Sequence, residues 1–310
     1  MLSHVVRFVF IAAGSATAQE SDAAAAGTTW TKGGVGRLTF TQVSLTNWAA
    51  GGNSSISGVA FLNLFANYKK KRTTWDNTLD LAYGLIREED GPTVKSDDRI
   101  ELNSKYGQYA FKHWYYTALV NARTQFAPGY EIPGNDSTLI SDFLAPAYIQ
   151  TGLGMDYKPS DNFTVFIAPI AGKTTIVNNQ DLANAGAFGV EKATFFDDGS
   201  IDQEGKKIRN EFGGFFKMMY KRDLGKTTKF QTKLDLFSNY LENPGNIDVN
   251  WEVLFAAKIG KYFEASLITN LIYDDDINFA VDRDGDGFED GTGPRTQFKQ
   301  VFGLGFSYKF

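Results

Sequence analysis

The sequence predicts an all-β chain: a transmembrane up-and-down antiparallel β-barrel of about twelve strands. Three observations carry this expectation. Long runs alternate with period two almost to the end, the connections between runs sort by length, and the chain ends on an aromatic residue of an alternating strand.

The alternation is the signature of strands with two different faces. Trp75, Leu79, Leu81, Tyr83 and Leu85 share one face, and Asp76, Thr78, Asp80, Ala82 and Gly84 the other. Val249, Trp251, Val253, Phe255 and Ala257 oppose Asp248, Asn250 and Glu252. At the end, Phe302, Leu304, Phe306, Tyr308 and Phe310 oppose Lys299, Gly303, Gly305, Ser307 and Lys309. Twelve such segments occur, at 34–46, 54–68, 74–87, 98–106, 113–127, 142–157, 163–177, 208–222, 227–241, 247–259, 262–273 and 296–310. The first is the least regular, with both of its faces mixed. Most are much longer than the ~5–6 residues usual in soluble sheets. A tilted strand needs about 9–11 residues to cross the apolar slab.

The odd connections are 47–53, 88–97, 128–141, 178–207, 242–246 and 274–295; the even ones are 69–73, 107–112, 158–162, 223–226 and 260–261. All the long connections are odd. A membrane barrel with both termini and its short turns on the periplasmic side requires this sorting. A soluble β-sandwich or jelly roll, the competing architecture, has no reason for it. Phe310 on an apolar strand face is the kind of ending that barrel-assembly machinery reads. Trp75, Trp114, Tyr68, Tyr83, Tyr157 and Tyr220 fall near strand ends, where aromatic girdles belong.

Composition narrows the function. The chain has 310 residues, no Cys, and only two His, His4 and His113. That excludes disulfides, thiolate metal sites and Cys nucleophiles, and leaves little for histidine-based catalysis. A sequence pI of about 5.2 argues against nucleic acid as a partner. No run of apolar residues is long enough for a spanning helix. Residues 1–18 resemble a secretory signal peptide: Val5–Ala13 is apolar apart from Arg7, and Ala16-Thr17-Ala18 is a small-x-small cleavage site. Residues 19–33, with the tract Ala23–Ala26, form a flexible periplasmic leader, and 34–310 the barrel.

Several stretches resemble an uncharacterised outer-membrane barrel family of Bacteroidota-type Gram-negative bacteria. They are Phe40-Thr41-Gln42 with Asn47-Trp48-Ala49-Ala50-Gly51-Gly52-Asn53, Thr124-Gln125-Phe126 with Gly129-Tyr130, Ile247-Asp248 with Asn250 and Glu252, and Tyr273-Asp274. The resemblance implies an outer-membrane barrel of unknown function and supplies no catalytic residues.

With apolar faces toward lipid, the polar faces line the lumen. Asp76, Asp80, Glu101, Asp156, Glu211, Asp235, Asp248, Glu252 and Glu264 meet Lys105, Arg123, Lys217, Lys229, Lys233, Lys299 and Lys309. A single-sign lining would suggest an ion-selective pore. The mixture fits a bore of roughly 25 Å backbone diameter cross-linked by ion pairs, or charges that simply solvate a wet interior. Loop 178–207 is long enough to fold inward, with a short helix in Gln180–Gly189.

One loop carries metal-ligand spacing. Asp282, Asp284, Asp286 and Asp290 hold positions 1, 3, 5 and 9 of a Ca²⁺ loop, with Gly287 at position 6. Position 12 is Gly293 instead of the bidentate Glu, and Asp274, Asp275 and Asp276 are candidates to complete the shell. A solvated acidic loop is the alternative. No other cofactor is expected, and no enzyme activity. The function expected is a structural or accessory subunit of an outer-membrane assembly, its partners outer-membrane lipid, the assembly machinery and other outer-membrane proteins. A narrow channel or transporter for small solutes is the alternative, and an outer-membrane hydrolase a third.

Overall fold

The computed structural model describes residues 29–43, 54–88, 91–131, 138–260, 262–281 and 291–309. Twelve strands form one closed antiparallel barrel in which each strand pairs with its neighbours in sequence. They are β1 (Trp30–Val43), β2 (Ser55–Lys70), β3 (Thr73–Glu88), β4 (Thr93–Phe111), β5 (Trp114–Thr124) and β6 (Ala147–Ser160). The second half is β7 (Phe163–Ile176), β8 (Ile208–Asp223), β9 (Thr228–Asn239), β10 (Ile247–Lys258), β11 (Phe263–Tyr273) and β12 (Gln297–Lys309). All twelve alternating segments of the sequence are therefore strands of a single sheet. Closure comes from β1 against β12, from Val35↔Lys309 to Thr39↔Gly305.

The side-chain period sets inside and outside. In β3, Asp80 and Ala82 are buried while Trp75, Tyr83 and Leu85 are exposed. Tyr116 and Val120 of β5 are exposed, and Thr117 and Leu119 buried. Large apolar side chains stand exposed around the wall, among them Phe40, Leu102, Leu153, Ile170, Phe212 and Phe302.

The connections follow the expected sorting. Residues 71–72, 112–113, 161–162, 224–227 and 259–262 make the short end. The opposite end carries 125–146, 177–207 and 274–296, which hold three small hairpins of their own. The 177–207 loop also contains the helix α1 (Gln180–Asn184) and a 3₁₀ turn (Ala187–Gly189), within the stretch where the sequence suggests a helix. The Asn179 side chain accepts from Leu182 N at 3.2 Å and caps α1. Leu182 and Ala183 bury against Val177, Val190 and Ala145, joining this loop to the 125–146 loop through a second apolar cluster.

Boundaries differ most from the sequence expectation in three places, β1, β4 and β6, the last running Ala147–Ser160 where 142–157 is expected. β1 starts at Trp30, inside the stretch expected to be leader, because Trp30 packs on Tyr68 and Trp75 at ring-centroid distances of 5.2 and 5.7 Å. The glycines at 33, 34 and 36 hide this part of the alternation. β4 extends beyond the 98–106 segment at both ends because register shifts, opposite Gly84–Leu85 and at Tyr109–Phe111, break the period without ending the strand.

A further irregularity decides which side chains enter the lumen. β7 carries one extra residue at Ala168–Pro169–Ile170: Phe215 pairs with Ala168, and Gly213 with Ala171. On its other side Met155 pairs with Ile167 and Leu153 with Ile170. Pro169 has no N–H for the ladder, so a bulge is where a strand tolerates it. The bulge turns both Pro169 and Ile170 outward. Phe166 and Ala168 point inward before it; Ala171, Lys173 and Thr175 do so after it.

Candidate functional site

The lumen is filled by ion pairs that tie separated strands together. Toward the short turns, Lys105 Nζ of β4 lies 2.7 Å from Asp156 Oδ2 of β6. Lys158 of the same strand reaches Asp76 of β3 at 2.6 Å and Asp156 at 3.3 Å. Arg37 of β1 pairs with Glu264 of β11, its guanidinium 6.0 Å from the Phe61 ring centroid. Asp156 is completely buried and would be costly to hold charged without these two lysines.

Between the two ends, Arg99 Nη1 of β4 meets Glu252 Oε2 of β10 at 3.5 Å. In a ring of twelve these strands are diametrically opposed. Two side chains cannot span the roughly 25 Å of a circular twelve-stranded barrel, so the cross-section is drawn in along this axis. Lys233 Nζ lies 3.4 Å from Glu252 Oε1, and Lys217 Nζ 2.8 Å from Asp235 Oδ2. Asn121 donates to Glu101 at 3.0 Å and to Asn103 at 2.7 Å, and Asn63 donates to Asp80 at 2.5 Å.

The lumen is not polar throughout. Leu119, Phe166, Ala168, Ala171, Phe215 and Phe237 form a buried apolar cluster on the β5–β9 side. Alternation alone does not reveal it, since these inward aromatics sit on strands that are also aromatic outside.

At the long-loop end a second charge network closes over the mouth. Lys173 Nζ reaches Asp248 at 2.6 Å, Asp274 at 2.9 Å and Glu211 at 3.7 Å. Arg209 pairs with Asp276 and donates to Gly189 O at 3.3 Å. The loop after β7 and the loop after β11 thus meet through Arg209. Asp98 fixes the third long loop, accepting from Phe126 N at 2.7 Å and Ala127 N at 3.0 Å. Lys95 pairs with Asp98 at 2.9 Å and donates to Ala127 O at 2.7 Å.

Asp282, Asp284, Asp286 and Asp290, with Gly287, lie outside the described residues, as do residues 1–28, the 47–53 motif and Phe310. The chain on either side of the acidic segment is paired from Asn278↔Pro294 to Val281↔Gly291. Asp274, Asp275 and Asp276 each have protein partners. Asp274 pairs with Lys173 and Asp276 with Arg209, while Asp275 accepts from Asn246 at 2.5 Å and from the Tyr273 hydroxyl at 3.0 Å. Among the described residues no group of three or more His, Asp or Glu is arranged to hold a metal ion. His113 is exposed on the second short turn, its ring edge-on to Tyr157 at 6.2 Å.

Sequence reasoning pairs the lumen charges only in general terms, and it misses Arg37, Arg99, Lys158, Lys173 and Arg209. The bulge in β7 places Lys173 inside; a strictly alternating β7 would send it out. The mixed faces of β1 obscure Arg37. Arg99 shares its face with Glu101, a signal that was available.

A family model described as a protein of unknown function (DUF3078) matches residues 40–130. Among curated proteins no sequence matches. The fold is similar to an outer-membrane channel, COG4313, from Pseudomonas putida F1, at 12% identity and a TM-score of 0.40, covering 95% of this chain and 100% of that one. It is also similar to the translocator domain of the autotransporter NalP from Neisseria meningitidis, at 11% identity and a TM-score of 0.36, covering 92% of this chain and 89% of that one.

Proposed function

We propose that this barrel resides in the bacterial outer membrane, is inserted there by barrel-assembly machinery, and serves as a non-enzymatic structural or accessory subunit with a closed lumen. Membrane residence is supported by the wall: a closed sheet satisfies its own backbone, and its outer face presents apolar side chains where water would disfavour them. The short turns face the periplasm and the long loops the outside.

The observation that carries the closed-lumen reading is the Arg99–Glu252 pair. A channel wall repels or coordinates its solute and leaves a continuous path. Here opposite walls are joined, and the charges beside the junction are neutralised by one another. The test is conductance in a planar bilayer. Wild type is expected to show no steady open state, and the double variant Arg99→Ala with Glu252→Ala to open one. A steady current through wild type would establish the narrow channel or transporter instead. Co-purification from gently solubilised membranes checks the accessory role, for which stable outer-membrane protein partners are the expected result.

A further inference from the structure

The short-turn end is strongly basic. The first turn carries Lys69, Lys70, Lys71 and Arg72, all exposed; Lys112 stands in the second and Lys221, Arg222 and Lys226 around the fourth. Asp161 and Asp223 are the exposed acids of these turns. The ion pairs of this end run from Lys158 into the lumen, so Lys69–Lys71, Arg72 and Lys112 have no carboxylate partner among the described residues.

The first two turns are held together. Arg72 lies 5.3 Å from the Tyr109 ring centroid and donates to Tyr109 O at 3.3 Å, which sets the first turn against the end of β4, three residues before Lys112. Just beyond them, on the outer wall of β4–β7, runs a groove of about 700 Å³. Its sides are Tyr106, Trp114, Tyr116, Leu153 and Ile167, and the small Ala118 leaves its floor low. At the bulge β6 and β7 approach each other closely, and a Cβ on Gly154 would meet Ile167 O at 2.0 Å.

We propose that this groove and the cations of the first two turns form one docking site for an anionic phospholipid, its acyl chain in the groove and its phosphate at the Lys70, Lys71 and Lys112 ammonium groups. The proposal rests on the membrane reading above. The volume falls within the usual range for a small-ligand site, ~300–1,000 Å³. The occupant follows from charge and position. The apolar channel opens toward unpaired cations at the depth where a rim of Trp114, Tyr157 and Phe111 marks the interface. A protein partner of this face would need carboxylates at the rim and an apolar surface below it within the same bilayer; a phospholipid brings both chemistries in one molecule.

Each surface Lys or Arg adds about fivefold to affinity for an anionic bilayer. The triple variant Lys70→Gln, Lys71→Gln, Lys112→Gln should therefore lose about a hundredfold in preference for the anionic lipid. Filling the groove with Ala118→Phe should remove retained lipid while leaving the charges in place. The measurement is native mass spectrometry of barrels extracted from vesicles of equal phosphatidylglycerol and phosphatidylcholine. Retained phosphatidylglycerol on wild type, weakened in both variants, is the expected result. Equal retention of the two lipids by wild type, or an Ala118→Phe variant that retains phosphatidylglycerol as wild type does, would overturn the site and leave the membrane reading intact. A wild-type chain that inserts into neither this vesicle nor one of phosphatidylcholine alone would overturn the membrane reading itself.

Discussion

The two ends of the barrel solve the same problem in opposite ways. Both carry many charged side chains. At the long-loop end the charges face one another: Lys173 and Arg209 are each surrounded by carboxylates from several strands and loops. At the short-turn end the lumen pairs are complete by Lys158, and the turns beyond present unopposed cations. The difference follows from connection length. A two-residue turn cannot fold back over the mouth, so its side chains project outward. A long loop can bring Asp274 onto a strand four places away and Asp276 onto one three places away. The long-loop end therefore uses charge for structure, and the short-turn end leaves charge unpaired.

The largest expected effect that tests this contrast is at Lys173. Lys173→Met leaves Asp248, Asp274 and Glu211 without their shared cation and should cost about 3 kcal/mol, as breaking a buried pair does. Thermal unfolding and proteolysis of the 274–296 loop would report it. The contrast fails if the substitution is as mild as an exposed one, within ~0.5 kcal/mol. Replacing Lys173 and Asp248 together should recover part of the loss.

Next in size is Asp98→Ala. It removes two backbone bonds to Phe126 and Ala127 and the partner of Lys95, for an expected loss of about 2 kcal/mol. Faster protease cleavage within 125–146, with the barrel intact, is the signature. Unchanged cleavage would show that the apolar cluster around Val177 and Leu182 holds this loop without Asp98. Asn179→Ala removes the cap of α1 and should cost about 1 kcal/mol. Local hydrogen exchange in Gln180–Asn184 would rise, and exchange in the strands would not.

Much of this architecture was legible in the sequence, and the reasons are physical. A strand with lipid on one side and water or ion pairs on the other must alternate, so Trp75–Leu85 and Val249–Ala257 announce themselves. Loop length is equally direct, because the short turns at 71–72 and 112–113 leave no room for anything else. Pairing across the lumen was not legible. Arg99 and Glu252 are far apart in sequence, and only the count and order of strands makes them opposite. The bulge at Ala168–Pro169 was half visible as a proline within an alternating run, yet its consequence, an inward Lys173, depends on the register of both neighbours. The lysine run at 69–71 was plain to see, but its meaning came from the position of the second turn and the groove below it.

The smallest effect separates stability from use at the basic end. Lys71 and Lys112 both hold left-handed backbone, with φ of 53° and 35°. A tight two-residue hairpin turn favours Asn or Gly at such positions, since a long side chain there crowds the backbone. Lys71→Asn should therefore leave the barrel slightly more stable, by about 0.5 kcal/mol. The same change removes one cation from the rim and should lower anionic-lipid affinity about fivefold. Unfolding temperature and lipid retention on the same purified variant would show the two moving in opposite directions. Were both to fall together, the lysine would be holding the turn in shape, and the basic rim would be structural like the acidic one opposite. If affinity falls while stability rises, the charge at this turn is kept at a cost to the fold, as expected of a surface that meets a partner.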